Sequence, residues 1–181
     1  AERAKLLGRA GAPALGVSLN VTEDGEICAR SNHVLKGYWN QPEATNEAIR
    51  DGWFHTGDGG YIDENNYVTI ADRKKDVIIS GGENVSSIEV EDVLFAHEQV
   101  IEVAVIGVPD EKWGETVKAL VVIEGDISEK ELIEFCRSKL AHYKCPTSIE
   151  FRDELARTAT GKLQKYKLRA PYWEGHDKLV N

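Results

Sequence analysis

Methionine is missing altogether from the 181 residues, and cysteine is scarce. The three cysteines, Cys28, Cys136 and Cys145, are odd in number, scattered, and without metal-ligand spacing. That pattern argues against a disulfide framework and points to inert thiols in a reduced, cytoplasmic setting. No apolar run approaches the roughly 20 residues of a membrane-spanning helix, and no signal-peptide pattern opens the chain. Basic residues are in deficit, 22 against 31 acidic for a net charge of -9. A balance of that sign disfavours non-specific binding to nucleic acid or to anionic membranes. The histidines (His33, His55, His97, His142 and His176) form no metal pattern. With no methionine and an opening that begins AERAKLLGRAGAPALG, the chain reads as part of a longer protein.

What is present is ordinary globular composition, 41% hydrophobic and 29% charged, in a chain long enough for one domain or two small ones. The pattern changes near Lys75. Residues 1–74 read as β-rich: Val17 to Val21 alternates in the strand manner, Asp24-Gly25 is a tight-turn signal, and Glu26 to Ala29 continues as a second strand. Pro42 to Ile49 carries Pro and Glu43 at the start of a short helix. Tyr61-Ile62 and Tyr67 to Ile70 flank the turn formers Asp63 to Asn66. Such a unit suggests part of a small β-barrel.

Residues 75–181 mix strands and helices. Ser86-Ser87 can cap a helix whose apolar positions include Ile88, Val90, Val93 and Leu94. Val103 to Val108 and Val117 to Ile123 are β-branched strands, and Ile149 to Phe151 is a third, shorter one. Ser128 with Glu131 makes a capping box ahead of the stripe Leu132, Phe135, Cys136 and Leu140. The fold class expected is therefore α+β, a small barrel-like β unit followed by an α+β domain with a central sheet and flanking helices.

Four segments carry chemistry. Thr56-Gly57-Asp58 reads as a carboxylate held at a turn after a strand, able to accept hydrogen bonds from both hydroxyls of a ribose. The bland alternative is a turn whose aspartate bonds its own backbone. Asp72-Arg73-Lys74-Lys75-Asp76 alternates in sign at the border of the two units, where a linker belongs. Ser80-Gly81-Gly82-Glu83-Asn84 follows a strand and precedes a helix, and its glycines let a ligand approach the backbone. Its spacing is neither a Walker loop nor a dinucleotide fingerprint. Finally, Thr158-Ala159-Thr160-Gly161-Lys162 presents a lysine on a Thr-Gly turn near the end of the chain.

In this order, these segments resemble the adenylate-forming superfamily of acyl-CoA synthetases, luciferases and peptide-synthetase adenylation domains. The supporting matches are Glu26-Ile27 with Lys36-Gly37-Tyr38-Trp39, and Leu140 to Pro146. Ala156 stands where the family often has proline. The resemblance implies that Asp58, with Thr56 beside it, binds the ribose of ATP and that Arg73 contacts the nucleotide. It makes Lys75 the pivot of a rotation of a mobile C-terminal domain. Ser80, Gly81 and Gly82 would line the path of CoA, and Lys162 would act in adenylation. The SGGEN form is closer to the acyl-CoA ligases than to the peptide-synthetase domains.

The activity implied is an AMP-forming acid–thiol ligase acting on a carboxylic acid, a fatty acid by general likeness, with ATP, Mg²⁺ and CoA. The phosphate loop, the glutamate for Mg²⁺ and the acyl pocket of such enzymes have no counterpart in this sequence, so the chain alone is expected to be inactive. Partners expected are these small molecules, with no nucleic acid; a homo-oligomer is compatible. Alternatives are loading of a carrier-protein thiol, a luciferase-type oxidation, or a non-catalytic module binding CoA or a partner.

Overall fold

A computed structural model describes residues 9–176. The chain divides into two compact units, Ala1–Lys74 and Lys75–Asn181. No helix among the described residues is long and apolar enough to cross a membrane.

The first unit is one five-stranded antiparallel sheet built on strand β4. Strands β1 (Ser18–Val21) and β2 (Glu26–Arg30) form a hairpin. Its turn is closed by Gly25 at φ 81° and by the Thr22 hydroxyl, which accepts the Glu26 amide at 2.8 Å. Helix α1 (Pro42–Ala48) starts on its proline and runs into the two-residue strand β3 (Ile49–Arg50). Strand β4 (Trp53–Ile62) has β2 on one edge, while β3 and then β5 (Val68–Arg73) take the other. The turn between β4 and β5 is held by Asp63, whose carboxylate accepts the amides of Asn65 and Tyr67.

The strands do not close into the barrel that their density suggests. The sheet is open, and among the described residues β1 pairs only with β2. Among its described residues, Ile27, Cys28 and Val68 are the buried apolar side chains. Three such residues cannot fill a barrel interior, which needs inward-facing side chains from every strand.

The second unit is a mixed sheet covered on both faces. Strands β6 (Ile78–Ser80) and β7 (Glu83–Val85) form a tight hairpin, followed by helix α2 (Ser87–Phe95). Strands β8 (Val100–Asp110) and β9 (Gly114–Ile123) make a long antiparallel hairpin. Helix α3 (Glu129–Arg137), a 3-10 turn at His142–Lys144 and strand β10 (Ser148–Phe151), parallel to β9, come next. Helix α4 (Lys165–Trp173) ends the described chain.

Successive side chains of a strand point to opposite faces, so a strand covered twice reads as a continuous apolar run. In β8, Val103 and Val105 pack with Val90, Leu94, Leu132 and Cys136 of α2 and α3. Ala104, Ile106 and Val108 pack on the other face with Leu155 and with Leu168 of α4. Both helix starts follow the sequence signals: Ser86 accepts the Glu89 amide, and Ser128 and Glu131 form the full capping box. Helix α4 carries little of that signal, since Leu168 is its one buried residue and Pro171 interrupts it.

Candidate functional site

Thr56-Gly57-Asp58 lies inside β4 and not at a turn after a strand. Gly57 takes φ 74°, a conformation that favours glycine, and so lets the strand bend without ending. The Thr56 hydroxyl donates to the Ile27 carbonyl at 2.6 Å and accepts the Asp58 amide at 3.1 Å. Thr56 thereby ties the bend to β2, and the Asp58 carboxylate is left half-exposed.

Asp58 sits directly opposite Arg73 in the β4–β5 register. Their charged groups approach to 3.6 Å, with the arginine side chain 71% exposed and the aspartate 31%. An ion pair this open contributes little to stability. It places a two-oxygen acceptor next to a planar cation, a combination that can take a vicinal diol and an adjoining phosphate.

Glu26 of β2 is the buried support of this bend. One carboxylate oxygen accepts the Gly57 amide at 2.9 Å, and the other lies 3.0 Å from His55 Nδ1 and 3.6 Å from the Lys74 ammonium. Burial alone would raise its pKa, but the His55 contact, the Gly57 amide and Lys74 together outweigh that and hold it below the ordinary carboxylate value. A depressed folded pKa adds stability above the unfolded pKa and loses it as pH falls through the folded one. Acidification from about pH 5 downward should therefore erode the first unit, and Glu26→Gln should remove this part of the dependence. Thermal melts across that range check it; parallel pH curves for both proteins would contradict the assignment.

Glu26 also belongs to the one group among the described residues with metal-ligand proximity, Glu26, Cys28 and His55, whose ligand atoms lie within 4.8 Å of one another. Arg50 already stands 2.8 Å from His55 Nδ1, and Lys74 stands beside Glu26. Mg²⁺ prefers an octahedron of oxygens. The cluster does not fit Mg²⁺.

Lys74 closes the first unit. Its amide donates to the Gly57 carbonyl at 2.9 Å, and its ammonium reaches Asp24 at 2.6 Å. That contact holds the Asp24 carboxyl down to about 2. Lys75 is the first residue of the second unit.

Ser80 to Asn84 forms the turn and flanks of the β6–β7 hairpin, so a strand intervenes before the helix. Gly81 and Gly82, at φ 60° and 87°, supply the two left-handed residues of a two-residue loop. The Gly81 amide donates to the Trp113 carbonyl at 2.9 Å. A Cβ on Gly81 would meet the Trp113 ring at 2.7 Å, so the indole rests directly on the loop backbone. Behind the hairpin opens a cleft of about 850 Å³, lined among others by Gly82, Trp113, Lys118, Tyr172 and Trp173. Trp113 is not apparent from the sequence motifs. Its signal is Lys112-Trp113 in the short connection between two strands, followed by Gly114 at the start of β9.

Lys162 stands on a narrow loop. Thr158 exchanges backbone hydrogen bonds with Gly161 and Lys162, its hydroxyl accepts the Lys162 amide at 3.0 Å, and Arg157 pairs with Leu163 across the base. Arg157 also grips Glu102 at 2.8 Å and the Gly161 carbonyl. The loop is thus rigid while the lysine side chain is exposed. Among the described residues none pairs with its ammonium. Asp58, Thr56 and Arg73 are brought together in the first unit, whereas Lys75, the glycine hairpin and Lys162 belong to the second.

Residues 89–162 match the family of the AMP-binding enzyme C-terminal domain. The 2-succinylbenzoate–CoA ligase of Bacillus mycoides is 44% identical over 172 residues, covering 90% of this chain and 36% of the relative. The long-chain-fatty-acid–CoA ligase FadD13 of Mycobacterium tuberculosis is 49% identical over 150 residues, covering 82% and 30%. The crystal structure of ATP-bound MatB from Rhodopseudomonas palustris superposes with a TM-score of 0.88 at 39% identity, covering 94% of this chain and 37% of that one. The chain spans about a third of the length of these relatives. Over residues 89–162 the chain carries the AMP-binding enzyme C-terminal domain, within a stretch that is similar to CoA ligases along most of its length.

Proposed function

We propose that the chain does the work of the C-terminal third of an AMP-forming acyl-CoA ligase. ATP and a carboxylate give an acyl-adenylate and pyrophosphate; the CoA thiol then attacks the acyl carbon, and AMP leaves. The observation that carries this reading is a pair of charged groups left uncommitted on rigid supports. One is the outward Asp58–Arg73 pair across β4 and β5, and the other is Lys162 on its loop, whose ammonium pairs with none of the described residues.

In the first half-reaction Asp58 takes the ribose hydroxyls, with Thr56 holding the strand behind it, and Arg73 faces the phosphate side. Lys162 offers a compact cation to the charge that develops between carboxylate and α-phosphate. The second unit then turns about Lys75, carrying Lys162 away and bringing the Ser80–Gly82 hairpin to the acceptor. The bare glycine backbone and the Trp113 ring give a slender thiol-bearing chain an apolar path. Mg²⁺, which such chemistry uses, would be held by residues other than those described. A fatty acid is the substrate we favour, because long-chain ligases stand among the relatives. Three buried free thiols fit a cytoplasmic site of action.

The test is AMP release by the full-length ligase proposed here, over a panel of carboxylic acids, with and without CoA. CoA-dependent turnover is expected with at least one long-chain acid, and none from the 181-residue chain alone. Turnover only with a carrier-protein acceptor would overturn the acyl-CoA assignment.

A further inference from the structure

The segment at the unit border is held from both ends. On one side, the Lys74 amide is bonded to Gly57 and its ammonium to Asp24. On the other, Arg169 of α4 donates from Nη1 to the carbonyl oxygen of Lys75 at 2.9 Å, across 94 residues of sequence. Helix α4 is itself a firm base. Leu168, next to the arginine, is buried against β8, Lys165 pairs with Glu91 at 2.7 Å, and Trp173 donates to the Gly107 carbonyl at 3.0 Å.

Peptide groups are planar, so fixing one atom of a group largely fixes its plane. The Lys74 amide belongs to the Arg73–Lys74 plane and is fixed to the first unit. The Lys75 carbonyl belongs to the Lys75–Asp76 plane and is fixed to the second. Between them remain only the backbone torsions of Lys74 and Lys75, and the Lys74 side chain is tethered as well.

We propose that Arg169 is the positioning residue of the hinge. By holding the Lys75 carbonyl it ends the flexible segment there and confines the rotation to the torsions of Lys74 and Lys75. Without it, bending spreads into Asp76 and Val77, the two residues before β6, and the second unit explores orientations that serve neither half-reaction. This rests on the reading of Lys75 as the pivot. It adds a residue on a helix the motifs do not include.

The test uses the whole 181-residue chain. Spin labels on cysteines introduced at Glu64 and Asp126, both exposed, report the distribution of distances between the units. The native thiols are buried. Trypsin cleavage after Lys74 and Lys75 reports opening of the segment itself. Arg169→Ala should broaden the distance distribution and raise cleavage at these two bonds on the order of tenfold, with cleavage elsewhere and the melting temperature of the second unit unchanged. Arg169→Lys, which keeps a cationic donor, should restore most of the protection. Unchanged distances and cleavage in Arg169→Ala would overturn the proposal. So would a uniform rise in cleavage with a lower melting temperature, which would mark Arg169 as a packing residue only. Neither readout uses ATP, acid or CoA. A failure here alongside intact CoA-dependent turnover would remove the role of Arg169 and leave the ligase reading standing.

Discussion

Lys162→Ala is expected to slow acyl-adenylate formation by about 10²–10³-fold, equivalent to about 3–4 kcal/mol, while leaving conversion of preformed acyl-adenylate to acyl-CoA nearly unchanged. The asymmetry follows from where the lysine sits. Its loop is held by Thr158, Arg157 and Gly161 through backbone and hydroxyl contacts that do not involve the ammonium. Truncation should therefore leave the fold intact, and the loss should fall on the transition state alone. A unit charge placed without reorganisation is worth most where charge develops, at the oxygens between carboxylate and α-phosphate. On the proposed two-step reading, that charge is already dispersed in the second half-reaction, and the hairpin takes the place of the loop. Lys162→Arg should recover little, because a broad planar cation does not substitute for a compact ammonium. Single-turnover measurements of the two steps decide it. Equal losses in both would remove Lys162 from the adenylation step.

Gly60→Ala is expected to destabilise the first unit by about 3 kcal/mol, at the upper end of what overpacking costs. A Cβ there would lie 2.2 Å from the Thr69 carbonyl oxygen, 2.8 Å from Ile27 Cδ1 and 3.2 Å from the Ile70 Cα. Two of these are backbone atoms of the partner strand β5, so no rotamer change relieves the clash. The β4–β5 register already shifts between Gly59 and Gly60. Forcing the strands apart would also carry Arg73 away from Asp58. Gly59→Ala is the control, since its nearest neighbour would be the Asp72 carbonyl at 3.4 Å, close to ordinary contact. Urea unfolding followed at Trp53 of β4 should show a markedly lower midpoint for Gly60→Ala and a small change for Gly59→Ala. Equal midpoints would mean that the strands slide to accommodate the methyl group.

Much of the second unit is legible without its coordinates. Val103 to Val108 and Val117 to Ile123 announce strands by β-branching, and their apolarity, broken only by Lys118, is what a doubly covered sheet requires. Ser128 and Glu131 close a capping box from contacts three residues apart. Other features had no local signal. The bend at Gly57 looks like a strand end because glycine and aspartate usually terminate strands, yet pairing to β2 on one edge and β5 on the other carries β4 through it. Helix α4 hides because one buried leucine gives no periodic stripe.

The candidate site divides along the same line. Asp58, Arg73, Lys75, the two glycines and Lys162 stand in motifs whose residue types and order carry the chemistry, and local turns and caps are fixed by interactions within a few positions. The sequence by itself thus determined the fold class, and it proposes a border at Lys75 and the charged groups for a nucleotide. Only the tertiary structure decided that the first sheet stays open, that Glu26 holds the Gly57 amide, that Trp113 lies on Gly81, and that Arg169 grips the Lys75 carbonyl. The last three join residues from about 30 to 94 positions apart. Such pairs depend on strand register and helix placement. Those are set by how the whole core packs, and no short window of residues contains them.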